Sequence, residues 1–143
     1  MTKKETPKPY CDGEWTEAKF VAFVKSQLRN GSMKWPPKHK VLSEARKARG
    51  VYLCAGCGQL VPTTIKSEKH SGRDKNIFVD HISPIVNPEI GFTSWDDFIN
   101  NLYCDSTNLQ VLCLQCHTMK SAEERRVSNA RAKKEREEDD ELQ

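Results

Sequence analysis

Asp80 and His81 stand side by side in IFVDHIS, residues 77–83, at the end of an apolar, β-branched run. Two polar groups are oddly placed there, and the chain supplies what such a pair would need further on. Asn108 lies in STNLQVL, and His117 follows directly on Cys113-Leu-Gln-Cys116. Together these side chains cover the tasks of phosphodiester hydrolysis. An imidazole can take a proton from the attacking water near neutral pH. A hard cation can stabilise the charge that develops on the phosphorane and on the leaving oxygen. One carboxylate and one neutral nitrogen can hold that cation while leaving positions for phosphate and water. Adjacent strand residues point to opposite faces, so Asp80 and His81 divide the labour, one binding metal and one addressing the water. Read singly, each is ordinary: a structural hydrogen-bond pair, a turn asparagine, a histidine at a helix start. Their order beside paired cysteines is what makes a site of them.

The cysteines form the second chemical feature. Cys54/Cys57 and Cys113/Cys116 are two CxxC pairs, the full tetrahedral set for structural zinc. In Cys54-Ala-Gly-Cys57-Gly the glycines permit the tight turn that aims both sulfurs at one point. The plain alternative is four reduced, buried thiols. A four-thiolate zinc site has no open coordination position and cannot activate water. Its role is to pin the strand after Gly50 to the helix that begins near His117. Cys104, at a helix end, reads as a core residue, and Cys11, with no cysteine two or three positions away, as a free thiol.

The elements that must position these groups can be read in order. Residues 1–13, with lysines and prolines, read as a flexible arm. Residues 14–50 read as a basic helical extension. Thr16 caps a helix through Phe20, Phe23, Val24 and Leu28 with Gly31 as its stop. Pro36-Pro37 opens a second helix that buries Val41, Leu42 and Ala45 and ends at Gly50. Lys38, Lys40, Arg46, Lys47 and Arg49 line that segment against the single acid Glu44, which suits contact with a phosphate backbone. Residues 51–65 read as two short strands around a turn, and 66–75 as a polar loop with His70 exposed. Residues 77–82 form the next strand, followed by an irregular, proline-containing loop. Thr93-Ser94 caps a short helix through Trp95, Phe98, Ile99 and Leu102, with Asp96 and Asp97 in its first turn. A strand over 109–112 precedes a last helix. Residues 127–143 are almost wholly charged, a helical tail that frays.

The bulk numbers agree with one small domain, 51–126, and appendages. In 143 residues, 36% are apolar and 30% charged, so the core is lean and needs a staple. No stretch is long and apolar enough to span a membrane. The basic start has no apolar segment after it, which points to the cytoplasm, where paired cysteines bind metal more often than they form disulfides. The net charge of +3 hides an asymmetry: without the acids of Glu137 to Glu141, 23 basic residues face 15 acidic ones. A basic body with an acidic tip suits a polyanion such as DNA.

VDHISP followed by NLQVLCLQCHTMK resembles the HNH endonuclease family in its zinc-stapled branch. More loosely, KWPPKHKVLSEARKARG and GFTSWDDFINNLYC resemble segments of small HNH proteins encoded by bacteriophages. The resemblance implies an α+β fold, a ββα-metal core of two strands and a helix held by the four-cysteine zinc site. It implies that Asp80 and His117 ligate a catalytic divalent cation, Mg²⁺ or Mn²⁺. It makes His81 the general base and Asn108 the residue that orients the base and holds the loop. Lys120 stands where members often carry a basic residue near the phosphate. The long insertion between Ile82 and Asn108 departs from the family pattern and bears on the DNA-facing loop.

The function so implied is a metal-dependent DNA endonuclease acting in phage DNA processing or packaging, in the bacterial host cytoplasm. Two other readings stand beside it. A non-catalytic zinc module would bind DNA or protein through the cysteine site and basic face alone. The charged tail could dock a phage or host protein.

Overall fold

The computed structural model describes residues 4–143, which contain four helices and three small antiparallel sheets. Residues 1–34 and 35–143 form two compact units.

In the first unit, α1 (Glu17–Ser32) begins at Thr16, whose hydroxyl accepts from Lys19 N–H as an N-cap. The helix passes Gly31, the expected stop, by one residue. Ser32 is buried, with its hydroxyl donating to Arg29 O at 2.7 Å. Tyr10 pairs with Trp15 across a turn that carries Cys11, Asp12 and Gly13 at φ of +52°, +54° and +87°. The Tyr10 ring stacks on Phe20 at 4.0 Å, and Trp15 meets Phe23 edge-on at 5.3 Å. The end of the expected flexible arm is therefore folded onto α1, because two aromatic pairs hold it there. Residues 1–3 of that arm lie outside the described residues.

In the second unit, α2 (Pro36–Ala45) opens at Pro-Pro but does not reach Gly50. The chain instead extends into β1 (Arg46–Ala48), which pairs with β2 (Val51–Leu53) around Gly50 at φ +71°. Arg46, Lys47 and Arg49 consequently lie on an edge strand and its turn, not on one helical face with Lys38 and Lys40. β3 (Leu60–Pro62) completes this sheet. The expected polar loop is a hairpin of β4 (Thr64–Lys66) and β5 (Arg73–Lys75). Arg73 secures it by donating to the hydroxyl and the carbonyl of Thr64 at 2.8 and 2.9 Å.

β6 (Phe78–His81) and β7 (Leu109–Leu112) pair antiparallel, with Phe78 opposite Leu112, Asp80 opposite Gln110 and His81 opposite Leu109. One face of the pair builds the core, where Val79, Leu109 and Val111 pack with Ile77 and with Val41, Leu42 and Ala45 of α2. Side-chain alternation sends Phe78 and Asp80 to the other face, where α4 (Leu114–Glu141) crosses β6. α3 (Trp95–Leu102) forms where expected, with Ser94 capping Asp97 N–H, and buries Phe98 and Leu102. Cys104 packs at the margin of the core, as expected.

The charged C-terminal stretch is not frayed. α4 runs to Glu141, with i,i+4 ion pairs Arg131–Glu135, Lys133–Glu137 and Lys134–Glu138 along it. Such pairs contribute only about 0.2–0.5 kcal/mol each. The tertiary anchor is Arg131, whose Nε donates to Pro88 O at 3.1 Å. Among the described residues, no helix is long and apolar enough to cross a membrane.

Candidate metal centre and the polar site beside it

The four cysteines meet as the sequence spacing requires. Cys54 follows β2 and Cys57 closes a turn in which Gly58 N–H donates to Cys54 O at 2.9 Å, with Gly58 at φ +72°. Ala55 N–H donates to Val111 O at 2.8 Å, so the turn is tied directly to β7, and Cys113 and Cys116 follow at the start of α4. The four sulfurs lie within 4.8 Å of one another. Tetrahedral bonds of about 2.3 Å to zinc put sulfurs about 3.8 Å apart, so a small contraction suffices to bind the ion. Cys54 and Cys113 are buried, while Cys57 is exposed.

Gly56 explains how the two halves come so close. A Cβ there would lie 2.9 Å from both Cβ and Sγ of Cys116 and 3.2 Å from a Leu112 methyl. Electrostatics give the same picture. Burial pushes the Cys54 thiol up, but N–H groups of Cys57, Cys113 and Gly56 overcome it and bring its pKa down to about 6. Cys116 is pushed up to about 12 by its hydrogen bond with Cys113, by burial and by Cys54. Opposite shifts are what four clustered sulfurs produce when one holds the negative charge against the others. A dication removes that conflict.

No protein-family model matches this chain, and no curated protein and no solved structure matches it. The chemistry of the polar site therefore follows from its own geometry.

Asp80 and His81 do face opposite ways. His81 is buried, and its Nε2 lies 3.0 Å from Leu102 O at the end of α3. A carbonyl only accepts, so Nε2 carries the proton and Nδ1 keeps its lone pair. Burial pulls the His81 pKa below the usual histidine range. The Leu102 bond and Asp80 oppose that shift, while Lys38 and Lys120 add to it. Burial thus favours the neutral imidazole, whose accepting nitrogen is Nδ1. Leu102 is itself braced, since Trp35 Nε1 donates to the nearby Cys104 O at 2.7 Å and its ring meets Tyr103 edge-on.

Asp80 is held by cationic and amide donors. Lys120 Nζ lies 3.1 Å from its Oδ2 and Gln110 Nε2 lies 3.3 Å from the same oxygen. Lys120 also donates to His81 O at 2.9 Å and to Glu124, so its three N–H bonds are all used. Burial works against the Lys120 charge, but Glu124 and Asp80 outweigh it and hold its pKa above the ordinary lysine range. Lys120 is thus an internal counter-ion to Asp80. His117, one turn before Lys120, stacks on Phe78 with centroids 4.4 Å apart. Among the described residues, the cysteine set is the one group of three or more His, Cys, Asp or Glu ligand atoms gathered closely enough for a metal.

Asn108 sits at the end of a 3₁₀ turn, Ser106–Asn108, just before β7. Its Oδ1 accepts from Ser83 N–H at 2.9 Å and its Nδ2 donates to Ser83 O at 3.3 Å. Asn108 therefore clamps the chain leaving β6, while the hydrogen bond that orients His81 comes from Leu102. Two contributions escape a reading of the sequence. The Leu102 carbonyl carries no residue-type signal at all. Buried Asn76 donates to Pro62 O at 2.9 Å and accepts from Leu114 N–H at 3.0 Å, so it caps α4 next to the cysteines. Its only sequence trace is one polar residue before an apolar run.

Lys40, Arg46, Lys47 and Arg49 are exposed, and Lys38 is half-buried near His81. His70 is exposed and paired with Asp74 at 3.1 Å, as suits a hairpin residue.

Proposed function

We propose that the chain is a metal-dependent DNA endonuclease of the HNH type, cutting phosphodiester bonds with His81 as general base. The observation that carries this reading is the state of His81. Leu102 fixes its tautomer, burial keeps it neutral, and its free nitrogen is the one a water could be deprotonated by. The β6–β7 pair with α4 across it has the strand, strand, helix order that the resemblance calls for.

The ion at the four cysteines is read as structural zinc, since the donor set and spacing suit it and leave no open position. Asp80 and His117 are the residues that would hold a catalytic Mg²⁺ or Mn²⁺, whose chemistry is to stabilise charge on the phosphate. Lys120 is the cationic partner of Asp80, and Glu124 gives the same ammonium a second carboxylate on which to rest. Asn108 holds the backbone at Ser83, and with it the loop that a substrate must pass. The basic residues Lys38, Lys40, Arg46, Lys47 and Arg49 supply sequence-independent attraction to DNA. A phage origin and a place in phage DNA processing or packaging rest on the resemblance alone.

Supercoiled plasmid incubated with the protein and Mg²⁺ or Mn²⁺ tests the reading. Wild type should nick or linearise it, and His81→Ala should do so about 10²–10⁴ times more slowly. Plasmid left equally intact by both, across several ions and DNA forms, would overturn the proposal. A second reading, a non-catalytic zinc module that binds DNA or protein, is favoured by one observation: Asp80 already has its cation in Lys120. DNA binding without cleavage, unchanged in His81→Ala, would support that alternative.

A further inference from the structure

The basic segment singled out in the sequence lies on α2 and β1, but another set of lysines lines a groove that no motif announces. Between the β4–β5 hairpin and the first turns of α4 runs an open groove of about 810 Å³. Lys66, Lys69 and Lys75 line its hairpin side, all three exposed. Its floor and far wall are Ile65, Leu114, Thr118 and Met119, with Met119 66% exposed. Two acids also line it. They are Glu68 and Asp74, the latter 3.1 Å from His70 Nε2, and three ammonium groups outnumber them.

Phe78 is the groove's inner end. Lys75 Nζ stands 4.9 Å from the Phe78 centroid, and His117 is stacked on the same ring. Phe78 lies two residues before Asp80 on the same face of β6, so this end of the groove adjoins the side of the strand that carries Asp80. Cations along one wall and apolar and hydroxyl side chains along the other match a sugar-phosphate strand, with phosphates to the lysines and sugars or bases to the floor.

We propose that this groove seats the stretch of DNA strand that flanks the bond presented to Asp80, His81 and His117. The proposal rests on the endonuclease reading for which bond is presented, but the groove itself can be tested without cleavage. Binding of a fluorescein-labelled 20-mer, as duplex and as single strand, is followed by anisotropy against KCl concentration with no divalent ion added. Each lysine that no longer neutralises a phosphate lowers the slope of log K against log salt by about 0.9 for duplex and 0.7 for single strand. Lys66→Gln/Lys69→Gln should therefore flatten the slope by about 1.4–1.8, and Thr118→Glu should weaken binding further. Lys133→Gln/Lys134→Gln, whose lysines are paired within α4, should leave the slope unchanged. All the lysines are exposed, so thermal unfolding of the variants should match wild type.

Equal slopes for wild type and Lys66→Gln/Lys69→Gln overturn the groove. So does a wild type that binds neither DNA form at low salt, or a double variant that no longer binds phosphatidylglycerol vesicles while keeping DNA. A flattened slope in a protein that never cleaves supports the groove and sinks the endonuclease reading. Normal cleavage with unchanged slopes does the reverse.

Discussion

The four cysteines and the four polar residues around Asp80 share β7 and the start of α4 as their support, yet they are organised in opposite ways. The sulfurs turn toward one another, within 4.8 Å, close enough to hold a metal ion. Asp80, His81, Asn108 and His117 each turn to a different protein partner: Lys120, the Leu102 carbonyl, the Ser83 backbone and the Phe78 ring. A convergent set with no open position is a device for folding. A divergent set, with each group already oriented and its charge already balanced, waits for something from outside to complete it. The same small scaffold thus carries one group positioned to hold a metal ion and one whose members each rest on a protein partner.

The largest expected effect lies in the first region. Cys54→Ser should lower bound zinc from one ion per chain to none and abolish cooperative unfolding of residues 35–143. Structural zinc contributes an apparent 10–16 kcal/mol, roughly as much as the whole stability of a small domain, about 5–15 kcal/mol. Metal release measured colorimetrically, alongside thermal unfolding, checks both. A variant that melts as wild type does, or a wild type indifferent to chelation, would reduce the cysteines to buried thiols and erase the contrast.

The two regions are also unequally legible in the sequence. CxxC spacing reports directly on geometry, because one tetrahedral ion needs four sulfurs and short turns deliver them in pairs. Helix caps at Thr16 and Ser94 and the strand at Leu109–Leu112 are readable for the same reason, each being a local rule. The end of α2 is not. Nothing local stops a helix at Ala45, and it is the pairing of Arg46–Ala48 with β2 that outweighs helix propensity. The β4–β5 hairpin likewise depends on Arg73 reaching Thr64 across it. Around Asp80, residue types are visible in the sequence but partners are not. Leu102 acts through its carbonyl, which every residue has, and Lys120 has the sequence surroundings of a surface cation although its three bonds all stay within the protein. The stretch after Ile82 supplies the group that orients His81.

A middle-sized effect sharpens the second region. Lys120→Gln leaves Asp80, with 16% of its side chain exposed, without its ammonium partner. Stability should fall by about 1–2 kcal/mol, as for other charge-assisted hydrogen bonds in partly buried places. If Asp80 is a cation ligand, Mn²⁺ should then raise the unfolding midpoint more in the variant than in wild type, because the competing ammonium is gone. A midpoint that Mn²⁺ moves equally in both proteins would remove Asp80 from the ligands and leave the cysteines as the chain's one metal site.

The smallest expected effect concerns how the charged half of α4 serves the polar site. Arg131 reaches from that half to Pro88 O in the loop after β6. Gly91 makes room for it, with φ at +87° and an added Cβ only 2.8 Å from Nη1. The loop begins at Ser83, which Asn108 holds, so it is fixed at one end by Asn108 and farther along by Arg131. Arg131→Ala removes the hydrogen bond to Pro88 O and the ion pair with Glu135, and global stability should drop by less than about 2 kcal/mol. The loss should be local, appearing as faster amide hydrogen exchange near residues 88–92 while β6, β7 and the cysteine turn exchange as before. Gly91→Ala should act in the same direction through its backbone conformation. Unchanged exchange in both variants would mean that Asn108 alone shapes the loop, and that the charged half of α4 has no part in holding it.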